Sequence, residues 1–203
     1  MSDGVVTGSN VLVSRYAVDT VPIAPVDPGF LKEHIQLTHD LDDHIVAGVS
    51  GYLWMATEEA ENRGSVALIQ QARKQFVGAD MLPVLEGSTI SLTVVPFLSS
   101  LVVKYLDADE ATQTLPSTNY RLSHNDVYFK TVPELAEGPG TVWFEYNAGY
   151  GTDPLSVPAA WKSIVCMLAM RRYDYRGSAP KDTDAFERMI DRQVVAAGGN
   201  RRY

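Results

Sequence analysis

Two imidazoles and three carboxylates crowd into His39-Asp40-Leu41-Asp42-Asp43-His44. Nitrogen and oxygen donors of that kind suit a divalent cation, and the chemistry would be that of a small metal-dependent hydrolase. The spacing argues against it. Residues five apart do not share a helix face, so His39 and His44 diverge if both are helical. Asp40 and Asp43 stand where an N-cap and a first helical turn favour acids, because unsatisfied N–H groups and the positive end of the dipole face them. Gly149-Tyr150-Gly151 has no following Gly-Lys-Ser/Thr to make a phosphate loop, and no Gly-x-Ser-x-Gly elbow occurs. His34 and His124 fall in different elements, without a recognisable nucleophile. Cys166, the one cysteine, lies in an apolar helical run and reads as a small core hydrophobe. Trp143, Phe144 and Tyr146 could stack a ligand on a free-standing binding module, but aromatics along a strand more often serve core and interface. The expectation is a chain that is not an enzyme and needs no cofactor or metal.

The elements that would have to position any site are those of an ordinary globular protein. The 203 residues are 45% hydrophobic and 21% charged, enough for one buried domain with a modest insertion. No apolar run approaches the roughly 20 residues that span a bilayer. Met1-Ser2-Asp3-Gly4 lacks a basic segment followed by an apolar one, so no secretory signal is expected. The formal charge of −8 is uneven. From Arg171 onward there are eight Lys/Arg against five Asp/Glu, which leaves nine basic against twenty acidic residues before it. Such an acidic body disfavours tight non-specific DNA binding, and the basic tail suggests a separate contact.

The pattern predicts an α+β protein: a helical bundle (27–64 and 152–177) with an inserted small antiparallel β-unit (65–151). An extended N-terminal arm (1–26) and a C-terminal helix and tail (178–203) complete it. Asp27-Pro28 reads as N-cap and first helical residue of one helix. Leu41, Ile45, Val49, Tyr52, Leu53, Ala56 and Ala60 form the apolar stripe of a second, ended by Gly64, with Glu58, Glu59 and Glu61 towards solvent. Strands are expected at Thr89–Val94, Leu101–Tyr105, Gln113–Leu115, Tyr120–Leu122, Val127–Phe129 and Val142–Tyr146. A third helix opens at Pro158 and is apolar nearly all round, with Trp161, Ile164, Val165, Met167, Leu168 and Met170, and Gly177 ends it. A fourth begins near Asp182, carries Phe186, Met189, Ile190 and Val194, and stops at Gly198-Gly199.

From Pro96 onward the order of motifs resembles the head–tail connector, or adaptor, proteins of long-tailed bacteriophages and gene transfer agents. The residues that carry this are Pro96, Tyr105 and Asp107, then Gln113-Thr114-Leu115-Pro116 with Asn119-Tyr120-Arg121-Leu122, similar to a short hairpin of that family. Val142-Trp143-Phe144-Glu145-Tyr146 leads into Ala148-Gly149-Tyr150-Gly151, and Val157-Pro158 opens a helix ending in Tyr173 and Arg176. Upstream, Pro25-Val26, Lys32, His34 and Ile35 also fit, and Gly64 with Leu68-Ile69 and Gln71 fits more loosely. Glu110 stands where the family tends to have glycine. The arm and the segment after Gly177 look longer than in a minimal member.

What the resemblance implies is a virion protein of the head–tail interface, assembled in the host cytoplasm. It would form a ring of twelve copies under the portal, extending the DNA channel and docking a stopper or tail-side neck protein. Its partners would be portal, copies of itself and that neck protein, with DNA passing through unread and no membrane. Another neck component, a stopper or tail-completion protein, is the alternative. The family attaches to portal through its C-terminal region. That makes Arg171, Arg172, Tyr173, Arg176, Phe186, Met189, Arg201, Arg202 and Tyr203 the portal-contact candidates. Trp143, Tyr146, Tyr150, Met167 and Met170 are the candidates for contact with ring neighbours.

Overall fold

The structure is a computed structural model and describes residues 13–15, 23–38, 42–46, 51–78, 80–175 and 183–199. Its helices are α1 (Pro28–His34), α2 (Asp43–Val46), α3 (Tyr52–Gly64), α4 (Ala159–Asp174) and α5 (Thr183–Ala196). Its strands are β1 (Val13–Arg15), β2 (Gln71–Phe76), β3 (Thr89–Ser91), β4 (Phe97–Leu106) and β5 (Thr112–Thr114). They continue with β6 (Tyr120–Ser123), β7 (Asp126–Phe129) and β8 (Val142–Ala148). This is the expected α+β class. The described residues of 20–70 and 149–203 make one compact unit, and those of 1–19 and 71–148 make another. Residues 65–70 and 149–151 thus fall with the helices, as does α5. Among the described residues no helix is long and apolar enough to cross a membrane.

In the helical unit, Asp27 caps α1 by accepting a 3.1 Å hydrogen bond from the Phe30 amide, with Pro28 at the first helical position. α3 buries Leu53, Ala56, Thr57 and Ala60 on one face. Those small residues let α4 approach closely, and its Trp161, Ile164, Val165, Cys166, Leu168 and Ala169 fill the interior. Gly64 is required by this approach: a Cβ there would lie 2.3 Å from Trp161 Cη2. The helix is ended by Ser65, which takes the left-handed conformation at φ 51°. Glu61, expected at the solvent, is only 6% exposed. Its Oε1 accepts a 2.8 Å hydrogen bond from the Leu68 amide, so it stitches the chain leaving α3 back onto the helix. α5 contributes Ile190 and Val194 to the core and is followed by Gly198 at φ +87°.

The Gly149-Tyr150-Gly151 turn has a structural reason of its own. A Cβ on Gly149 would come within 2.7 Å of the Ile69 carbonyl and the Gln70 amide, and the Gln70 N–H donates to Gly151 O at 2.8 Å. The chain therefore leaves and re-enters this unit along two backbones packed against each other, an approach only glycine permits.

The β unit holds a five-stranded antiparallel sheet of order β1-β2-β8-β4-β5 and a three-stranded sheet of order β3-β7-β6. Val13–Arg15 of the arm pairs with β2 of the same chain, Val13 opposite Gln75. β8 is central and buried along most of its length, which explains its strong sequence signal. β2, Gln-Ala-Arg-Lys-Gln-Phe, has almost none, and its position between β1 and β8 makes it a strand. The stretch Thr89–Val94 is a strand only as far as Ser91, which pairs with Asp126, the first residue of β7; the Leu92 amide adds one more bond in register, to the Asn125 carbonyl at 2.7 Å. Gln113–Leu115 and Tyr120–Leu122 do not form a hairpin together: β5 pairs with β4, and β6 with β7. Glu110 adopts the left-handed conformation (φ 60°) that glycine would favour. The Asp107 carboxylate holds that turn, accepting from Asp109 N, Ala111 N and Gln113 Nε2, and the Gln113 and Ala111 bonds depress its pKa.

Candidate functional site

Among the described residues, the densest group of ion-paired side chains lies where α3, α4 and α5 meet. Arg63 on α3 donates to Glu59 Oε1 on its own helix at 2.6 Å. It reaches Glu187 at 2.5 Å and Asp191 at 3.2 Å on α5. From α4, Arg171 pairs with the other oxygen of Glu187, and Arg172 donates to Glu59 Oε2 at 2.6 Å. The Arg171 guanidinium also lies 4.5 Å over the Phe186 ring. Three guanidiniums meet three carboxylates, so the cluster is neutral and joins all three helices. Burial works against the charge on Arg63, but its bonds to Glu187 and Glu59 outweigh that and raise its pKa further. Glu187 is likewise raised by burial and more strongly lowered by Arg171 and Arg63, so its carboxyl sits below the ordinary value. No nucleophile lies in this network, and each oxygen named already holds a cation. What it can do is fix α5.

This accounts for several candidates near the C-terminus. Arg171, Arg172 and Phe186 brace the protein itself. The Tyr173 hydroxyl donates to Asp42 Oδ2 at 3.1 Å, and Met189 is 39% exposed. Arg176, Arg201, Arg202 and Tyr203 lie outside the described residues. Arg63, which ties the cluster together, gave no sequence signal beyond its four-residue spacing from Glu59.

Of the aromatic candidates, Tyr146 is interior: its hydroxyl meets Val94 and Gln75 Oε1 at 3.3–3.4 Å. Trp143 lies on the opposite face of the sheet, under the Lys74 ammonium at 4.4 Å, and donates to Glu145 Oε1 at 3.0 Å. Glu145 also pairs with Lys104 at 2.9 Å. Tyr150 accepts a 3.0 Å bond from Trp161 Nε1 in the helical unit, and Met167 and Met170 are half-buried on α4. The acidic run is used for structure: Asp43 is in the first turn of α2 and pairs with Lys32 at 2.8 Å, while Asp42 receives Tyr173. His44 is exposed, and His39, Asp40 and Leu41 lie outside the described residues. Among the described residues no three His, Cys, Asp or Glu side chains are grouped to hold a metal ion. Cys166 is buried, which pushes its thiol up to about 11.

No family model matches the sequence, and no curated protein does. The fold is found in solved structures of gene transfer agent particles. A chain from the neck of an empty particle, computed with sixfold symmetry, aligns at TM-score 0.69 and 20% identity, covering 90% of this chain and 94% of that one. A chain of a native virion aligns at TM-score 0.69 and 16% identity over 95% and 97%. A chain from the neck of a native particle, computed with twelvefold symmetry, aligns at 0.65 and 19% over 90% and 94%. At such identities the likeness is one of fold.

Proposed function

We propose that this chain is a structural neck protein of a tailed particle. In it, an adaptor ring under the portal would lengthen the DNA channel and dock the next neck or tail protein. One observation carries the reading: the fold matches neck and virion chains of gene transfer agents over nine-tenths or more of this chain and of those chains. The motif order from Pro96 to Arg176 points the same way, and the sixfold and twelvefold symmetries of those necks both suit twelve copies. An acidic body fits a lumen through which DNA must slide, because it offers phosphates little to hold. With Arg171, Arg172 and Phe186 spent on bracing α5, the portal contact falls to the end of the chain, where Arg201, Arg202 and Tyr203 would meet carboxylates.

Imaging of the particle at its portal vertex tests this. The chain should form a ring directly against the portal. Its presence only at the tail tip or in the capsid shell would overturn the reading, and a place further down the neck would make it a stopper or tail-completion protein. Removing residues 200–203 should leave a folded chain that no longer co-purifies with portal.

A further inference from the structure

We infer that the outward face of α5 in one copy docks on the outward face of α3 in a second copy. α5 turns Ile190 and Val194 inward, which leaves Asp184, Arg188, Met189, Arg192 and Val195 on the outer side, with Asp184, Arg188, Arg192 and Val195 about one turn apart in succession. Met189 and Val195 are 39% and 50% exposed. Neither arginine has an ion pair among the described residues, in contrast to Arg63, Arg171 and Arg172. α3 turns Leu53, Ala56, Thr57 and Ala60 inward, which leaves Met55, Glu58 and Asn62 outside. Met55 is 41% exposed, and Glu58 has no ion pair among the described residues.

Each face therefore combines exposed apolar surface with charge that has no ion pair among the described residues; the α3 face is negative, and the α5 face is net positive with two arginines against Asp184. A methionine and a glutamate on one side meet a methionine, a valine and two arginines on the other. Within one chain the faces cannot meet, because α3 and α5 already pack together through their inner sides. A second copy satisfies both. Because the two patches differ, the contact is heterologous: it repeats from copy to copy and closes as a ring if the rotation allows. Only the closure rests on the adaptor reading; the contact itself does not.

The test is self-association of the full chain, followed by sedimentation velocity at low salt and high micromolar concentration. The wild type should form oligomers. Glu58→Arg and the pair Arg188→Glu with Arg192→Glu should each weaken association roughly tenfold or more, and all three changes together should restore it. A wild type that stays monomeric, reversed chains that associate normally, or a folded triple variant that does not recover would each overturn the contact. Should any reversed chain fail to fold by circular dichroism, Glu58→Cys with Arg192→Cys in a Cys166→Ser background gives a second measurement. Oxidation should then produce a ladder of linked copies, and its absence overturns the contact. A neck ring that persists with Glu58→Arg would remove this interface and leave the adaptor reading standing. Absence of the chain from the neck would do the reverse.

Discussion

In the helical unit, three arginines and three carboxylates clasp α3, α4 and α5 together. In the β unit an uncharged amide does the corresponding work. Gln75, fully buried, donates from Nε2 to Ser91 O at 3.0 Å and accepts from the Thr93 amide at 2.7 Å, with the Tyr146 hydroxyl beside it. The difference follows from exposure. The side chains of the ionic clasp are 17–40% exposed, where water and salt weaken each pair but no charge is stranded. Gln75 is fully buried, so a charge there would be costly and a neutral group that satisfies its neighbours is the stable choice. The ionic clasp should thus respond to salt and acid, and the bonds of Gln75 should not.

The largest expected effect breaks the neutral stitch. Gln75→Leu keeps the volume but removes the hydrogen bonds to Ser91 O and Thr93 N, at a cost of about 2–3 kcal/mol. Urea unfolding should give the same loss at low and high salt; a salt-dependent loss would contradict the comparison. Gly64→Ala comes next, since its methyl would overlap the fully buried Trp161 ring. A destabilisation of about 1–3 kcal/mol, with a changed Trp161 environment in near-UV circular dichroism, is expected.

Glu187→Gln should cost about 1 kcal/mol after solvent screening, and that cost should shrink between roughly 0.1 and 1 M salt. Its pH dependence has a definite sign. The folded-state pKa of Glu187 is below the ordinary 4.5, so its contribution is complete above that value and is lost as pH falls through the depressed one. The wild type should therefore lose more stability on acidification than Glu187→Gln does. The smallest effect is at Cys166. Its thiol rises from 9.0 to about 11, so the stability linked to it is complete below 9.0 and is lost as the pH rises towards 11. A thiol reagent at about pH 8 should label it only in denaturant.

Much of the fold was legible in the residues, and what was not has identifiable causes. Asp27-Pro28, the aromatic run of β8 and the core of α4 declare themselves because capping and burial leave a local pattern. β2 does not, because its strand state comes from its neighbours and its one wholly buried residue is a glutamine. Glu61 misleads for a related reason: a carboxylate on a helix reads as solvent-facing until a distant amide, that of Leu68, is brought to it. Tyr146 reads equally as core or interface until Gln75 and Val94 are placed around its hydroxyl. The candidate contacts divide in the same way. Basic residues near a C-terminus are visible in the sequence, but which of them are already spent is not.

The α+β class, most helices and strands, the uneven charge and the lack of a recognised catalytic motif were all readable from the residues. Each of these rests on composition or on periodicities of a few residues. It took the packed chain to show that Arg63, Arg171 and Arg172 close on Glu59, Glu187 and Asp191, that Gly64 exists for Trp161, and that Arg188 and Arg192 face outward with no ion pair among the described residues. Those are statements about residues up to 128 positions apart, as between Arg63 and Asp191. No local pattern encodes them, because packing, and not spacing, brings the partners within reach.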